Sequence, residues 1–598
     1  MSSRCVLFSI IIFFIGLDPC LGEEATSFGL RPIIITKSKV HLLDSYSISQ
    51  DAAASLGFSS AIESLSLLPL DLQSRSPQGA IQTDFSLRGS TFQGVLMLLD
   101  GARINDPQTG HHNSDIPVTL ADIEQIELTP GISSARFGPD AIGGAVNITL
   151  KKPEREEGIL EASYGEFQTN YALFSISEMI GDLGIRFSVE NHESEGFYED
   201  TDFEKFTTSL NSNLKIPEGE FKLSLGYQEK EFGAYDFYTP ASGYLSKEWT
   251  KTLLLNSGLT LEKGGFLIKP NFLWRRHFDK FALDKTSKRS TYLNHHQTDL
   301  YTPNIYFQRE ISYLGKIGLG LEYGEERIKS TNLGDHARSH RSIFADDAFD
   351  LNDRLSFDLS FRRDDFDGFK EMETGSVNCR FELQEGESLS LGISRSIRAP
   401  SFTELYYNDP LTSGDSGLSA EKSLNYQAGY DYERKAFSLG AVFFWRREDD
   451  FIDWVKHAPA QAKWQAENIS QADVYGIENY LRFDLTESLK LNANYTYINK
   501  YNDKAVYLYK YGPNYIKHLI NSALIFDLPF GIQSVAFTYK KKPGRDGWLL
   551  VSTRLAYNFN KNFQIFLKGT NLFNVEYQEI EGIPQPGRFL EAGLRLSW

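Results

Sequence analysis

Two pairs of adjacent histidines stand out in the chain, His111-His112 in "RINDPQTGHHN" and His295-His296 in "YLNHHQTDL". Imidazole nitrogens ligate transition metals and hydrogen-bond polar ligands. Neighbouring histidines cannot readily share one tetrahedral site without a third ligand, which the sequence does not identify. The competing reading of each pair is two solvated histidines. A second constellation is the acidic stretch "EGFYEDTDFEKF", in which Glu199, Asp200, Asp202 and Glu204 could hold Ca2+ through carboxylate oxygens. Its spacing is not that of an EF-hand, and a plain acidic loop is the commoner meaning. Third, Tyr235, Phe237, Tyr238 and Trp249 offer aromatic faces on which a large planar ligand could stack. The alternative for these is an aromatic girdle. Covalent catalysis is a poorer fit. The "GDSG" at Gly414–Gly417 resembles a protease nucleophile motif, but it lies in a polar stretch with no framework to orient a His and an Asp. Neither HExxH nor a P-loop is present.

The elements that must position these residues follow from the chain's texture. Residues 1–22 carry Arg4, an apolar run from Val6 to Ile15 and a small residue at Gly22, as a secretory signal does. Asp18-Pro19 argues against lipid attachment at Cys20. Removing the signal leaves Cys379 as the one cysteine, so no intramolecular disulfide is expected. Residues 23–44 read as a tether with one β-branched knot, Ile33-Ile34-Ile35-Thr36, able to add as a strand to a partner's sheet. Residues 45–153 read as a small mixed domain: a short helix around Ala61 to Leu68, strands in "DFSLRGS", "GVLMLLDGARIND" and "LADIEQIELTPG", then a glycine-bearing stretch, "GISSARFGPDAIGGAVNITLKKP". From 154 to 598 the pattern becomes repeated alternation. Leu481, Phe483 and Leu485 alternate before a turn, and Leu489, Leu491, Ala493, Tyr495 and Tyr497 resume. Polar stretches such as "DTDFEKF" and "NDPLTSGDSGLSAEK" read as longer loops. The chain is 41% hydrophobic and 13% aromatic, with 30 Tyr and 43 Phe. That suits many strands on which alternate residues meet lipid. The net charge of −18 argues against a nucleic-acid partner.

Four ordered blocks are similar to the TonB-dependent outer-membrane receptors. "DFSLRGSTFQGVLMLLDGARINDPQ" resembles the plug block "RG…V…DG…N" through Arg88-Gly89, Val95, Asp100-Gly101 and Asn105. "DIEQIELTPGISSARFGPDAIGGAVNITLK" resembles its continuation through Ile126-Glu127, Pro130-Gly131, Phe137-Gly138, Ala141 to Gly144 and Val146 to Ile148. "SRSIRAPSFTELYY" resembles the mid-barrel signature, and Asn571-Leu572-Phe573 with Pro586-Gly587-Arg588 the C-terminal one. "RPIIITKSK" resembles the TonB box, departing from its usual valine-rich form. The resemblance implies an all-β membrane protein of the outer membrane: a 22-stranded antiparallel barrel with a mixed α/β plug in its lumen, the glycines forming tight turns there. It implies a monomeric active transporter, not an enzyme, surrounded by outer-membrane lipids and energised by TonB and its inner-membrane complex. TonB would pair with Ile33, Ile34, Ile35 and Thr36. No cofactor is required by this reading, and Ca2+ at Glu199 to Glu204 would be structural. With ~9–11 residues per membrane strand, the 444 positions from 155 to 598 leave short loops. That points to the compact cobalamin-transporter-like subgroup and to cobalamin or a related corrinoid. The alternative cargo is a ferric siderophore, haem or another metal chelate. By the same resemblance the plug loop with Arg103, Asn105, His111, His112 and Asn113 faces the outside and is the first candidate for ligand contact, with Tyr235, Phe237 and Tyr238 above it.

Overall fold

The computed structural model describes residues 45–598 except 133, 239–242, 287–292, 313, 370 and 503–507. The expected TonB box, Ile33 to Thr36, lies outside the described residues.

The plug is built on a five-stranded sheet in the order Tyr46–Ser49, Ile123–Pro130, Gly144–Leu150, Val95–Leu99, Ala102–Arg103. Val95–Leu99 runs parallel to Gly144–Leu150, and all five of its residues have 0% exposure. A strand covered on both faces has no need of alternation, which is why "VLMLL" is apolar throughout. Two short capped helices follow the first strand in the chain. Ser49 caps Gln50–Ser55 by accepting from the Ala52 N–H, and Ser60 caps Ala61–Ser64 by accepting from that of Glu63. The glycines do two different jobs. Gly131 has φ +75 and makes a turn, whereas a Cβ on Gly143 or Gly144 would strike the carbonyl oxygen of Leu87 or Thr129. The paired glycines therefore permit close backbone approach rather than a turn.

Twenty-two antiparallel strands, from Glu157–Gly165 to Phe589–Ser597, enclose the plug, and the last pairs with the first. No helix among the described residues is long and apolar enough to cross a membrane; the crossing is made by strands. Where the chain enters from Pro153 the turns are short, as at Gly264-Gly265. Longer connections such as 399–420 lie at the other end. This asymmetry marks the periplasmic and extracellular ends. Leu391, Phe443 and Leu567 on the outer wall are 63%, 62% and 59% exposed, the faces that meet lipid. Phe437–Lys456 has 20 residues and Trp464–Asp484 has 21, about twice the ~9–11 needed to cross the hydrocarbon. The chain's length thus goes into strands that outrun the membrane. One expected loop is corrected accordingly: "DTDFEKF" enters a strand at Phe203.

Candidate ligand site at the outer face of the plug

The loop from Arg103 to Asp115 forms the extracellular crest of the plug, and it is held from below, from the side and from above. Asn105 accepts from the Met97 N–H (2.7 Å) and donates to the Val95 carbonyl (3.0 Å), so its amide ties the loop to the central strand. Asn113 accepts from the Asp106 N–H at 2.9 Å, closing the loop on itself. Arg103 reaches Asp140 in the plug at 2.5 Å and Glu326 on the barrel wall at 2.9 Å. All three residues are buried. Above them, the Pro107 and Gln108 carbonyls accept from the Phe402 and Thr403 N–H groups (2.9 and 3.1 Å). Those donors begin the outer-loop helix Phe402–Tyr406, whose first N–H groups have no partner within the helix. Arg398 fixes that helix, since its guanidinium spans Glu404 at 2.8 and 3.0 Å and Glu421 at 2.7 and 2.8 Å. The mid-barrel signature is therefore a clamp over the plug.

The plug-loop histidines are not solvated. His111 and His112 are 7% and 2% exposed because the crest is pressed against the barrel wall. His111 Nδ1 lies 2.7 Å from Asp84, which also holds Arg75 at 2.8 Å. Burial and the nearby Arg75 charge outweigh Asp84 and hold the His111 imidazole down to about 4. Burial alone would raise Asp84, but Arg75 and His111 bring it down to about 2. His112 faces the other way. Its ring sits 4.4 Å from that of His277, with Nδ1 3.7 Å from Asp115 and Nε2 3.5 Å from Asp279. Burial would lower His112, yet Asp279 and then Asp115 push it up to about 9. The second pair divides. His295 is exposed, whereas His296 is buried in the lumen, with Nδ1 2.8 Å from Ser330 Oγ and Nε2 3.9 Å from Asp279.

The aromatic candidates divide as well. Phe237 is 3% exposed and packs with Ile81, Phe203 and Phe232. Tyr238 touches the plug, accepting from Gln82 Nε2 at 2.6 Å and donating to Glu248. Tyr235 is half-buried and meets Tyr198 edge-on. Trp249 is on the strand face opposite buried Glu248, under Lys280 at 4.3 Å, the position of a girdle residue. A richer set went unnoticed in the sequence. Half-buried Tyr406, Tyr407, Trp464 and Tyr511 pack together around Leu405 and Trp454, and Tyr511 meets Phe92 at 5.0 Å, which stacks on His111 at 4.1 Å. "ELYY" was the available signal, but it read only as a family signature.

The acidic residues are not brought together. Asp200 is buried in an ion pair with Lys285. Glu199 and Glu204 are exposed, Glu204 facing away from the lumen between inward Phe203 and Lys205. The groups of three His, Asp or Glu residues that do converge among the described residues are His112–Asp115–His277 and His112–Glu248–Asp279.

Residues 43–145 match the model of the TonB-dependent receptor plug domain, and residues 167–572 that of the TonB-dependent receptor-like β-barrel. Among curated proteins, the vitamin B12 transporter BtuB of Photobacterium profundum is 25% identical over 443 residues, 70% of this chain and 69% of that one. The iron-regulated outer membrane virulence protein of Vibrio cholerae is 22% identical over 593 residues, 87% of each. Among solved structures, a mutant of the ferric enterobactin receptor PfeA of Pseudomonas aeruginosa, in complex with enterobactin, superposes with a TM-score of 0.78 at 17% identity, covering 94% of this chain and all of that one. The siderophore receptor PirA of the same species gives 0.74 at 18%, covering 93% and 99%. At such identities these structures show the shared fold alone.

Proposed function

Since the chain belongs to the TonB-dependent receptors of the outer membrane, we propose that it imports a scarce, large solute, a corrinoid of the cobalamin type, on energy passed from the inner membrane by TonB. The observation that carries active import is the filled lumen. The plug is tied to the wall through Arg103–Glu326 and to the outer-loop helix through Pro107 and Gln108. A bound solute has no passive way through, and the outer membrane has neither nucleotide nor useful potential to move the plug. TonB adds to Ile33–Thr36 as a strand and pulls. The likeness to vitamin B12 transporters supports the corrinoid. Tyr238, Tyr235 and the Tyr406–Tyr407–Tyr511 group offer it ring faces, while Arg103, Asn105, His111, His112, Asn113 and Phe237 shape the crest beneath. A second reading, a ferric siderophore, is favoured by the iron-regulated relative.

Titration calorimetry of the detergent-solubilised protein with cobalamin, with and without Ca2+, tests the cargo. Saturable submicromolar binding is expected. No binding to cobalamin, with binding to a ferric catecholate, would replace the corrinoid by the siderophore. Ile34→Pro removes a backbone donor from the paired segment. It is expected to abolish uptake while leaving ligand binding unchanged; undiminished uptake would sink the TonB assignment.

A further inference from the structure

We propose that His112, Glu248, Asp279 and His296 form a binding site for one divalent transition-metal ion, Zn2+ by ligand type, that staples the plug crest to the barrel wall. The strand register builds three quarters of it. Asp279 stands directly opposite His296, and Thr250 stands opposite Asp279. Glu248, two residues from Thr250 on the same lumen face, is therefore Asp279's diagonal neighbour, within side-chain reach. The plug loop brings His112 to the same point. All four are buried, at 2%, 0%, 5% and 7% exposure in chain order. The donor atoms of His112, Glu248 and Asp279 lie within 4.8 Å of one another. His112 Nε2 and His296 Nε2 are 3.5 and 3.9 Å from the same Asp279 oxygen. Tetrahedral Zn2+ with bonds of ~2.0–2.1 Å separates its donors by ~3.3 Å, so the His112–Asp279 contact is already near that spacing, and Glu248 and His296 swing in to complete the set.

Charge separates this cluster from its neighbour. In the group His112–Asp115–His277, Lys230 pairs with Asp115 and Arg275 pairs with Asp106 at 2.5 Å. That side already holds its cations. Among the described residues no Lys or Arg forms an ion pair with Glu248 or Asp279. Glu248 accepts from the neutral Tyr238 hydroxyl at 3.1 and 3.2 Å, and one Asp279 oxygen accepts from the Gln108 amide at 3.2 Å. The other Asp279 oxygen, Oδ1, is buried with no partner. Two buried carboxylates sharing His112 with Asp115 are short of positive charge, and a divalent ion supplies it.

The fourth ligand is oriented from behind. His296 Nδ1 lies 2.8 Å from Ser330 Oγ, which the Asn332 and Leu333 N–H groups fix by donating to it at 3.3 and 2.9 Å. That contact holds the ring with Nε2 turned toward the Asp279 carboxylate. An outer hydrogen bond on Nδ1 is the usual companion of a metal-bound imidazole. Two imidazoles and two carboxylates suit Zn2+ rather than Ca2+ or Mg2+, which take oxygen shells. The site stands independently of which cargo the receptor carries.

The full-length protein in detergent, stripped with chelator and re-titrated with Zn2+ by calorimetry and elemental analysis, tests this. One equivalent bound at submicromolar Kd is expected, with Co2+ giving the visible absorption of a tetrahedral site. His112→Ala and Asp279→Asn should each weaken binding at least 100-fold, and His295→Ala, on the outer surface, should leave it unchanged. Zn2+ should also slow hydrogen exchange in residues 106–115 of the unaltered protein but not in the Asp279→Asn variant. His112→Ala, in a loop, keeps the test decisive if a strand variant misfolds. Absence of stoichiometric uptake, or binding within threefold of normal in both ligand variants, overturns the proposal.

Discussion

Inside the plug, Val95–Leu99 and the facing Val146 and Ile148 are apolar and fully buried. A few side chains outward, where the plug meets the barrel, apolar contacts such as Ile81–Phe203 are joined by buried ion pairs: Arg88–Glu478 at 2.7 Å, Asp106–Arg275 at 2.5 Å, Asp71–Lys540 at 3.1 Å and Asp115–Lys230. The seam is buried like the plug interior, but unlike it carries many charges. Apolar burial is non-directional and stabilises the plug as a body in its own right. A buried ion pair adds little net stability over an apolar contact of the same shape, because desolvation offsets much of the attraction, but its geometry is demanding. The plug is thus held in one orientation without being glued to the wall. Ion pairs drawn apart by a pulling partner can be rehydrated one at a time.

The largest effect that would test this division comes from the plug's interior. Gly144 has φ +142 and abuts the Thr129 carbonyl. Gly144→Val should prevent the sheet from closing, leaving a barrel without a folded plug. Increased passage of large antibiotics through cells, with normal barrel assembly, is the expected readout. A closed, antibiotic-tight barrel would show that the seam alone can order the plug.

The seam should respond next, and reversibly. Glu478→Gln leaves the Arg88 guanidinium, 3% exposed over the Phe444 ring, short of its counter-charge. Breaking such a pair costs ~3–5 kcal/mol, which urea titration followed by hydrogen exchange in residues 95–99 would measure. Replacing both partners, Arg88→Met with Glu478→Met, should recover most of the loss. Leu98→Ala in the plug core should cost ~2–5 kcal/mol, with no barrel substitution restoring it. If the double variant stays as unstable as the single, charge pairing is not what governs the seam.

The same division decides what could be read from the sequence. Elements with local causes were legible: the continuous run at Val95–Leu99, the alternation of Leu481 to Tyr497, and the short helix at Ala61. The seam was not, because each of its pairs joins residues far apart in the chain, as Arg88 joins Glu478. The histidines show the limit. As neighbouring pairs they looked like two units, yet strand alternation turns His295 outward and His296 into the lumen, where register sets it against Asp279. Glu248, in "SKEWTK", carries no local mark at all. The acidic run is divided in a similar way: the strand starting at Phe203 turns Glu204 away from the lumen, while Asp200 before it pairs with Lys285.

The smallest predicted effect separates the plug's own polar bond from the seam. Asp84 lies within the plug, facing Arg75 and His111 with Tyr238 beyond. Its folded value is about 2, against ~3.9 in an unfolded chain. A depressed carboxylate contributes stability above the unfolded value, and this contribution is lost as pH falls through the folded one. The window is therefore about pH 4 to 2, and the contribution lost is about 2–3 kcal/mol. Above pH 5, Asp84→Asn should lower plug stability by at least that amount, since Arg75 also loses its partner. Below about pH 2 the deficit should shrink as the unaltered protein loses the same charge. A deficit that stays constant from pH 5 to 2 would mean that Asp84 acts through shape and hydrogen bonding rather than charge, placing its bond with the apolar interior instead of the ionic seam.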